Sequence, residues 1–275
     1  MKFKGKVALV TGGSGGIGST VSRALAREGA KVVIFSRDKK ALKRIAGEIQ
    51  KSGGVALPIF GDVSRHKEVQ RAVNTTIQKF KRLDILVNCA GVQEPIGLFA
   101  KSNIEKWKKN IEVNLLGTVY FAHAALPHML KRKSGNIVNF SGGGASGPRP
   151  YFLPYAVAKT GIVKFTEILA AETKGLGVRV NAVAPGAVNT HMLEEVLRAG
   201  PRAGEKELSE AKARKVKGGT APEVATELVQ FLASDDSHVL SGKLIAAVWD
   251  GWRSWTKKDI ERIQESDMYT LRRVT

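Results

Sequence analysis

The stretch "KVALVTGGSGGIG" (residues 6–18) decides the fold, because it leads from a short apolar run through a glycine loop into a helical pattern. Glycine lets a backbone turn tightly and approach a ligand, and the N-terminus of a helix attracts an anion. The spacing matches both G-x-G-x-x-G and the looser G-x-x-x-G-x-G, through Gly12, Gly13, Gly15, Gly16 and Gly18. Such a loop between a strand and a helix indicates a pyrophosphate-binding turn, with a simple tight turn as the alternative.

Outward from this loop, short β-branched runs alternate with longer amphipathic patterns. Strands are predicted within residues 6–12, 31–36, 55–64, 84–91, 135–142, 178–186 and 242–250. Helices are predicted over 16–30, 39–53, 65–80 and 222–234, from Ile104, after Asn114, and around Tyr155 to about Lys174, with Ser64 as the cap of the third. Near-continuous apolar strands joined by helices predict a parallel sheet covered on both faces. The predicted fold class is α/β, a single-domain, doubly wound parallel sheet of the Rossmann type.

Two segments stand apart from this rhythm. Residues 190–220 are rich in Ala, Gly, Lys and Glu, and they predict a helical lid inserted into the domain. Residues 1–251 would then form one dinucleotide-binding catalytic domain, and residues 252–275 an amphipathic C-terminal tail. The apolar side chains in and beside the tail would let it cover the substrate cleft, pack on its own domain or cross to another subunit.

Composition limits the class of protein. The chain has 275 residues, 43% of them hydrophobic, and no apolar run approaches the roughly 20 residues of a membrane span. The basic N-terminus is followed only by "VALV" and then by glycines, which does not match a secretory signal. With Cys89 as the single cysteine, we expect no intramolecular disulfide and a cytoplasmic location.

The net charge of +19 requires an explanation. An anionic partner such as nucleic acid is one possibility. The basic residues, however, are scattered in short clusters without interleaved aromatic residues, so we favour a solvated surface over nucleic-acid binding.

The end of the second predicted strand bears on the cofactor. An acidic residue there would accept from the ribose 2′-hydroxyl of NAD, but the sequence reads "IFSRD", with Ser36 at that place and Arg37 beside it. Because an arginine suits a phosphate, we favour NADP. Asp38 keeps NAD as the alternative. Asp62, after the third strand, is a candidate for the adenine amino group or a simple turn residue.

The run "YAVAK" (155–159) places a phenol and an ammonium one helical turn apart. Surface decoration would explain the pair, and so would a proton donor whose pKa a neighbouring cation lowers. The five histidines are dispersed, so no metal site is predicted. His191, beside the lid, is a minor candidate for substrate contact.

In their order and spacing, "TGGSGGIG", "GDV", "NCAG", Asn114, the serine of "VNFSGG", "YAVAK" and "NAVAPGAVNT" resemble the short-chain dehydrogenase/reductase family from residue 6 to about 251. The resemblance implies a nicotinamide cofactor and a homo-oligomer, either a dimer or a tetramer. It makes Tyr155 the acid/base, Lys159 the group that lowers the tyrosine pKa and binds the nicotinamide ribose, and Asn114 part of a proton path. An N-cap is the other interpretation of Asn114. The implied cofactor contacts are Gly12, Ser14, Gly16, Ile17, Gly18, Ser36, Arg37, Asp62, Val63, Asn88, Ala90, Gly91, Tyr155, Lys159, Pro185, Gly186, Val188 and Thr190.

The sequence departs from the family at the serine that polarises the substrate carbonyl. That serine usually lies thirteen residues before the tyrosine, where this chain has Gly142. We assign the role to Ser141 through a loop one residue longer, with Ser146 as a poorer candidate. A second departure is "DGW" (250–252), which leads into the tail where the family usually ends near "DGG".

These residues predict an NADP(H)-dependent oxidoreductase that interconverts a secondary alcohol and a ketone. A 3-oxoacyl thioester on an acidic carrier protein fits the basic surface, and an NAD(H)-dependent sugar, polyol or other small-alcohol dehydrogenase is the alternative. A non-catalytic cofactor-binding protein or a nucleic-acid-associated protein is the alternative from another class.

Overall fold

The computed structural model describes residues 1–273, and its strands follow the predicted rhythm. They are β1 (Val7–Thr11), β2 (Lys31–Ser36), β3 (Val55–Phe60), β4 (Ile85–Asn88), β5 (Gly135–Phe140), β6 (Val178–Ala184) and β7 (Leu244–Ala246). All neighbours pair in parallel, in the order β3-β2-β1-β4-β5-β6-β7. The predicted doubly wound sheet is confirmed. The order reverses between β1 and β4, and a sheet of this kind binds its ligand at the carboxyl ends of the strands beside such a point.

Ten α-helices cover the two faces of the sheet within the described residues. They are α1 (Gly16–Arg27), α2 (Lys39–Lys51), α3 (His66–Phe80), α4 (Ile104–Ile111), α5 (Gly117–Lys131), α6 (Leu153–Glu172), α7 (His191–Ala199), α8 (Glu205–Lys217), α9 (Pro222–Ala233) and α10 (Lys257–Glu265).

Two local predictions are wrong. Ser64 does not cap α3: Arg65 takes the N-cap position, and the Ser64 hydroxyl donates to Asp62 instead. Asn114 is not an N-cap, because the π-helical turn Glu112–Leu116 joins α4 to α5 without a break.

The core has one layer on each face of the sheet. Along β1, Ala8 and Val10 face one apolar cluster, and Val7 and Leu9 face the other, so every residue of the strand is buried. This two-sided burial explains why the strand is continuously apolar, and each large side chain contributes roughly 1.5–3 kcal/mol.

The predicted tail packs on its own domain. Trp252, Ile260 and Ile263 join the core cluster that contains Ala8, and the Trp252 indole nitrogen donates to the Ala247 carbonyl at 3.2 Å. At the edge of the sheet, the Leu244 amide donates to the Tyr269 carbonyl at 2.8 Å. Residues 274 and 275 of the predicted tail lie outside the described residues.

The predicted lid consists of α7 and α8. It shares a small apolar cluster with Ile96 and Phe152, so the lid rests on the loops at the carboxyl ends of the strands. Among residues 1–273, no helix is long and apolar enough to cross a membrane.

Candidate active site

The glycine loop forms one wall of a cleft at the carboxyl end of β1. A Cβ atom on Gly18 would lie 2.3 Å from the Gly12 carbonyl oxygen, and one on Gly12 would lie 2.9 Å from the Ala90 Cα. Both positions therefore require glycine. Gly15 faces open space and is the N-cap of α1 without a side-chain cap, which leaves backbone N–H groups of the first turn available to an anion. The loop fits the pyrophosphate of a dinucleotide.

The cleft beside this loop has a volume of about 570 Å³, within the roughly 300–1,000 Å³ of ligand pockets. The predicted cofactor residues that line it are Gly12, Ser14, Gly16, Ile17, Gly18, Ser36, Arg37, Val63, Ala90, Gly91 and Thr190. Pro185, Gly186 and Val188 line an adjoining cleft together with Tyr155. Asn88 lines neither cleft, because its side chain is buried and donates to Asn139 at 2.9 Å.

The far end of the cleft carries the residues expected to read the adenosine ribose. Ser36 accepts a hydrogen bond from Ser14 at 2.7 Å, and Arg37 is more than half exposed beside it. The carboxylate of Asp38 accepts from the Ala41 amide at 2.9 Å and caps α2. Only Oδ1 of Asp38 takes part in this cap, and Asp38 also lines the cleft.

Asp62 lies under Arg37 and a lysine that the sequence analysis did not single out. Its Oδ2 atom is 3.7 Å from Arg37 and 3.6 Å from Lys109. Burial opposes ionisation, but hydrogen bonds from Ser64 and the charges of Lys109 and Arg37 lower the pKa of Asp62 overall. Of these three residues only Arg37 lines the cleft, and Asp62 lies behind that lining as the shared partner of Arg37 and Lys109.

Tyr155 and Lys159 lie one turn apart on α6, and both are buried. The Lys159 ammonium donates to the Phe140 carbonyl at 2.8 Å and lies 5.4 Å from the centroid of the Tyr155 ring. It is also 3.6 Å from where a Cβ on Gly91 would stand, and Gly91 lines the dinucleotide cleft, whereas Lys159 itself lies behind that lining. Surface decoration is excluded for this pair.

Burial shifts the pKa values of the pair in opposite directions. It raises the pKa of Tyr155 to about 12, against the lowering effect of the Arg149 charge. It lowers the pKa of Lys159 to about 8. In this structure the cation that lowers the pKa of Tyr155 against burial is Arg149, and the lowering of the tyrosine pKa by Lys159 stays a prediction.

Asn114 is fully buried in the π-helical turn. Its amide nitrogen donates to the Val92 carbonyl at 2.9 Å and to Asn110 Oδ1 at 2.8 Å, and its oxygen accepts from the Val92 amide at 3.2 Å. The side chain thus fixes the loop after β4 against α4. Single π-helical turns inside helices are frequent at functional sites.

Ser141 and Gly142 point to opposite sides of the chain. The Ser141 hydroxyl is buried and donates to the Lys159 carbonyl at 3.1 Å, away from the cleft. A Cβ on Gly142 would lie 2.8 Å from the Tyr155 hydroxyl. The position that faces the tyrosine is therefore occupied by a glycine, and the geometry gives no support to Ser141 as the group that polarises a carbonyl.

Comparison with known proteins agrees with this geometry. The sequence matches the short chain dehydrogenase family over residues 6–200. The chain belongs to this family. It is 33% identical to 3-oxoacyl-(acyl-carrier-protein) reductase FabG of Thermotoga maritima over 246 residues, 89% of this chain and 97% of that protein. The chain is therefore an oxidoreductase of the short-chain dehydrogenase/reductase family.

Two solved structures place this dehydrogenase beside relatives with different cofactors. Actinorhodin polyketide ketoreductase with NADPH is 30% identical with a TM-score of 0.81, covering 91% of this chain and 98% of that one. NAD+-bound xylitol dehydrogenase is 26% identical with a TM-score of 0.82, covering 90% and 98%.

The substrate cleft of the dehydrogenase lies between Tyr155 and the lid, with a volume of about 700 Å³. Trp249 stands on its rim and is 74% exposed. His191 is largely exposed, lies 3.7 Å from Glu195 and borders the dinucleotide cleft, not the substrate cleft. Within residues 1–273, no three His, Cys, Asp or Glu side chains are grouped to hold a metal ion.

The sequence analysis missed the polar residues that connect the lid to this cleft. Arg149 forms two hydrogen bonds with Glu207 of α8, and Glu195 of α7 accepts from the Gln93 amide at 2.8 Å. A detectable signal was present in "GPRP" (147–150), where one charged residue stands between two prolines in a glycine-rich loop.

Proposed function

We propose that this dehydrogenase uses NADP(H) to interconvert a secondary alcohol and a ketone. The observation that carries the proposal is the position of Tyr155, which lines the substrate cleft, while Lys159, one turn away, lies beside Gly91 of the dinucleotide cleft. When bound, the nicotinamide supplies or accepts the hydride. The protein positions the carbonyl and supplies the proton.

Tyr155 acts as the proton donor in reduction. With a pKa of about 12 it keeps its proton at neutral pH, and an alkoxide forming in the cleft is a stronger base that takes this proton. Lys159 supplies positive charge beneath the ring, and Asn114 holds the loop after β4. Charge on the lysine requires a pH below about 8, because burial lowers the pKa of Lys159 to that value.

NADP is the proposed cofactor because the exposed guanidinium of Arg37 suits a 2′-phosphate, whereas one oxygen of Asp38 already accepts a capping hydrogen bond. Asp38 caps α2, and Ser36 and Arg37 border the cleft where a 2′-phosphate would lie. One relative is a reductase of 3-oxoacyl groups on acyl-carrier protein, which makes such a thioester a candidate substrate. A small sugar or polyol is the second candidate, since a structural relative is a xylitol dehydrogenase. A cytoplasmic location and a homo-oligomer stay predictions.

The test is fluorescence titration with NADPH and with NADH for wild type, Arg37→Ala and Asp38→Ala. A charge-assisted hydrogen bond is worth about 1.5–3 kcal/mol, so Arg37→Ala should weaken NADPH binding roughly 10- to 100-fold and leave NADH binding unchanged. If Asp38→Ala weakens NADH binding and wild type prefers NADH, Asp38 reads the ribose and the cofactor is NAD. If neither cofactor binds, the enzymatic proposal fails.

A further inference from the structure

Gly142 lies beside the Tyr155 hydroxyl, at the position from which a side chain could donate a hydrogen bond to the substrate carbonyl. No side chain at this position can reach a substrate carbonyl, and the neighbouring Ser141 hydroxyl donates to the Lys159 carbonyl behind it. Reduction of a ketone places negative charge on the oxygen, and an enzyme normally aims a fixed donor at that oxygen. The donor in this chain has to come from another residue at the cleft.

Arg149 borders the same space. Its guanidinium carbon lies 5.7 Å from the centroid of the Tyr155 ring, and its Nη1 atom lies 3.8 Å from where a Cβ on Gly143 would stand. The side chain lines the substrate cleft, and only 16% of it is exposed. Ser146, the other polar residue of this loop at the cleft, also lines it and is exposed.

The guanidinium is held rigidly. It stacks at 3.9 Å on the Phe152 ring, and its Nε and Nη2 atoms donate to Glu207 at 2.7 and 2.9 Å. Burial opposes ionisation of Glu207, but the hydrogen bonds and charge of Arg149 lower the pKa of that carboxyl overall. A fixed donor of this kind needs no reorganisation during the reaction.

The hydrogen-bond inventory decides what Arg149 can bind. Of its five N–H groups, two reach Glu207 and one reaches the Gln93 amide oxygen at 3.2 Å, in the orientation that also satisfies the Gln93 nitrogen. Two N–H groups remain, one on each terminal nitrogen. The Nε edge that grips a carboxylate in parallel is already occupied. The two free N–H groups are available to an oxygen acceptor of a substrate in the cleft.

We propose that Arg149 is a catalytic residue that donates a hydrogen bond to the substrate carbonyl oxygen, with Glu207 of the lid as its positioning residue. The proposal rests on the proposed function. In reduction, a bound dihydronicotinamide would supply the hydride by loss of its own C–H bond and be oxidised to the nicotinamide cation, and the carbonyl, as it gains the new C–H bond, would place its π pair on oxygen as an alkoxide beside Arg149. The Tyr155 proton then neutralises that oxygen.

The experiment compares NADPH-dependent reduction by wild type, Arg149→Met, Arg149→Lys and Glu207→Gln. The probes are ethyl acetoacetate, acetoacetyl-CoA and a cyclic ketone. Arg253→Met is the matched control, because Arg253 also grips a glutamate, Glu227, and stacks on a ring, Trp252, far from the cleft. Melting temperature and NADPH affinity are measured for every variant, which separates a folding defect from a catalytic one.

Arg149→Met should lower kcat by roughly 10²- to 10³-fold, as loss of one oxyanion donor does, with NADPH affinity unchanged. Arg149→Lys should recover part of the rate because it keeps the charge, and Glu207→Gln should lower kcat less than Arg149→Met does. Equal rates for Arg149→Met and Arg253→Met would overturn the proposed role of Arg149 and leave the proposed function standing. A larger loss in Ser141→Ala or Ser146→Ala would assign the donor to that serine. A wild type that binds NADPH but reduces no probe would overturn both this inference and the proposed function.

Discussion

The two ionisable residues at the centre of the site occupy one buried turn of α6, and their charged forms are disfavoured for the same reason. Desolvation penalises the tyrosinate and the ammonium alike, so it keeps Tyr155 protonated and makes Lys159 easier to deprotonate. The cation that works against burial at Tyr155 is Arg149. The lysine is therefore the group whose charge changes nearest to neutral pH.

The pH dependence of the reductive rate should follow Lys159. As pH rises through about 8 the lysine loses its charge, whereas Tyr155 keeps its proton until about 12. We expect kcat for reduction to fall with an apparent pKa near 8, and Lys159→Arg to move that fall to higher pH because the guanidinium stays charged. Steady-state rates over neutral to alkaline pH measure this. A rate that is level through pH 8 in wild type would contradict the expectation, provided NADPH binding is also level.

Restoring a serine at position 142 should not restore the family arrangement. Its Cβ would lie 2.8 Å from the Tyr155 hydroxyl, so Gly142→Ser has to displace the buried ring. Overpacking of this kind costs about 1–3 kcal/mol, and we expect a lower melting temperature together with loss of activity. Gly147→Ser is the control in the same loop, since nothing lies within 4 Å of a Cβ at that position. Higher activity in Gly142→Ser would show that the phenol has room to move.

At the scale of single elements, Asp38 both caps α2 and lines the cofactor cleft, and we expect the cap to be its main task. Removing its cap in Asp38→Ala should destabilise the protein by about 0.5–2 kcal/mol and leave the preference for NADPH intact. Denaturant unfolding measures the first effect, and cofactor titration measures the second. Asp259→Ala is a comparison, because Asp259 completes the capping box of α10 far from the cleft. A changed cofactor preference with unchanged stability would reverse the assignment of Asp38.

Sequence patterns predicted the elements better than their ends. Strand positions could be predicted from continuous apolar runs such as Val7 to Val10. A strand of this sheet is buried on both faces, so nearly all of its side chains are apolar. The π-helical turn at Asn114 was missed, since periodicity cannot distinguish one extra residue inside a helix from a helix boundary. The orientation of Ser141 was missed because the path of a glycine-rich loop depends on contacts that are distant in sequence.

At the scale of the whole molecule, two neighbouring tryptophans have different tasks. Trp252 is buried in the core, and Trp249 is exposed on the rim of the substrate cleft. Trp252→Ala should lower the free energy of unfolding by about 3–5 kcal/mol, whereas Trp249→Ala should change it by less than about 0.5 kcal/mol and alter KM for the substrate. Denaturant unfolding and steady-state kinetics separate the two. Equal destabilisation by both substitutions would contradict this division.

The molecule as a whole was predictable in architecture and partly in its site. The glycine loop, Tyr155 and Lys159 lie together as predicted, because the carboxyl ends of parallel strands meet at one edge of the sheet. Arg149, Gln93 and Glu207 were not predicted, since ion pairs between a loop and a lid have no fixed spacing in sequence. The placement of the tail needed the structure for the same reason.

The two edge strands of the sheet, β3 and β7, are protected against pairing with another chain in different ways. β3 contains Pro58, which has no N–H to offer, and the Leu244 amide of β7 is already bonded to the tail at Tyr269. An open strand edge is a template on which further chains add by backbone pairing. A chain cut before residue 252 would present β7 as such a template and would also lose Trp252, Ile260 and Ile263 from the core, so we expect concentration-dependent aggregation together with a lower free energy of unfolding.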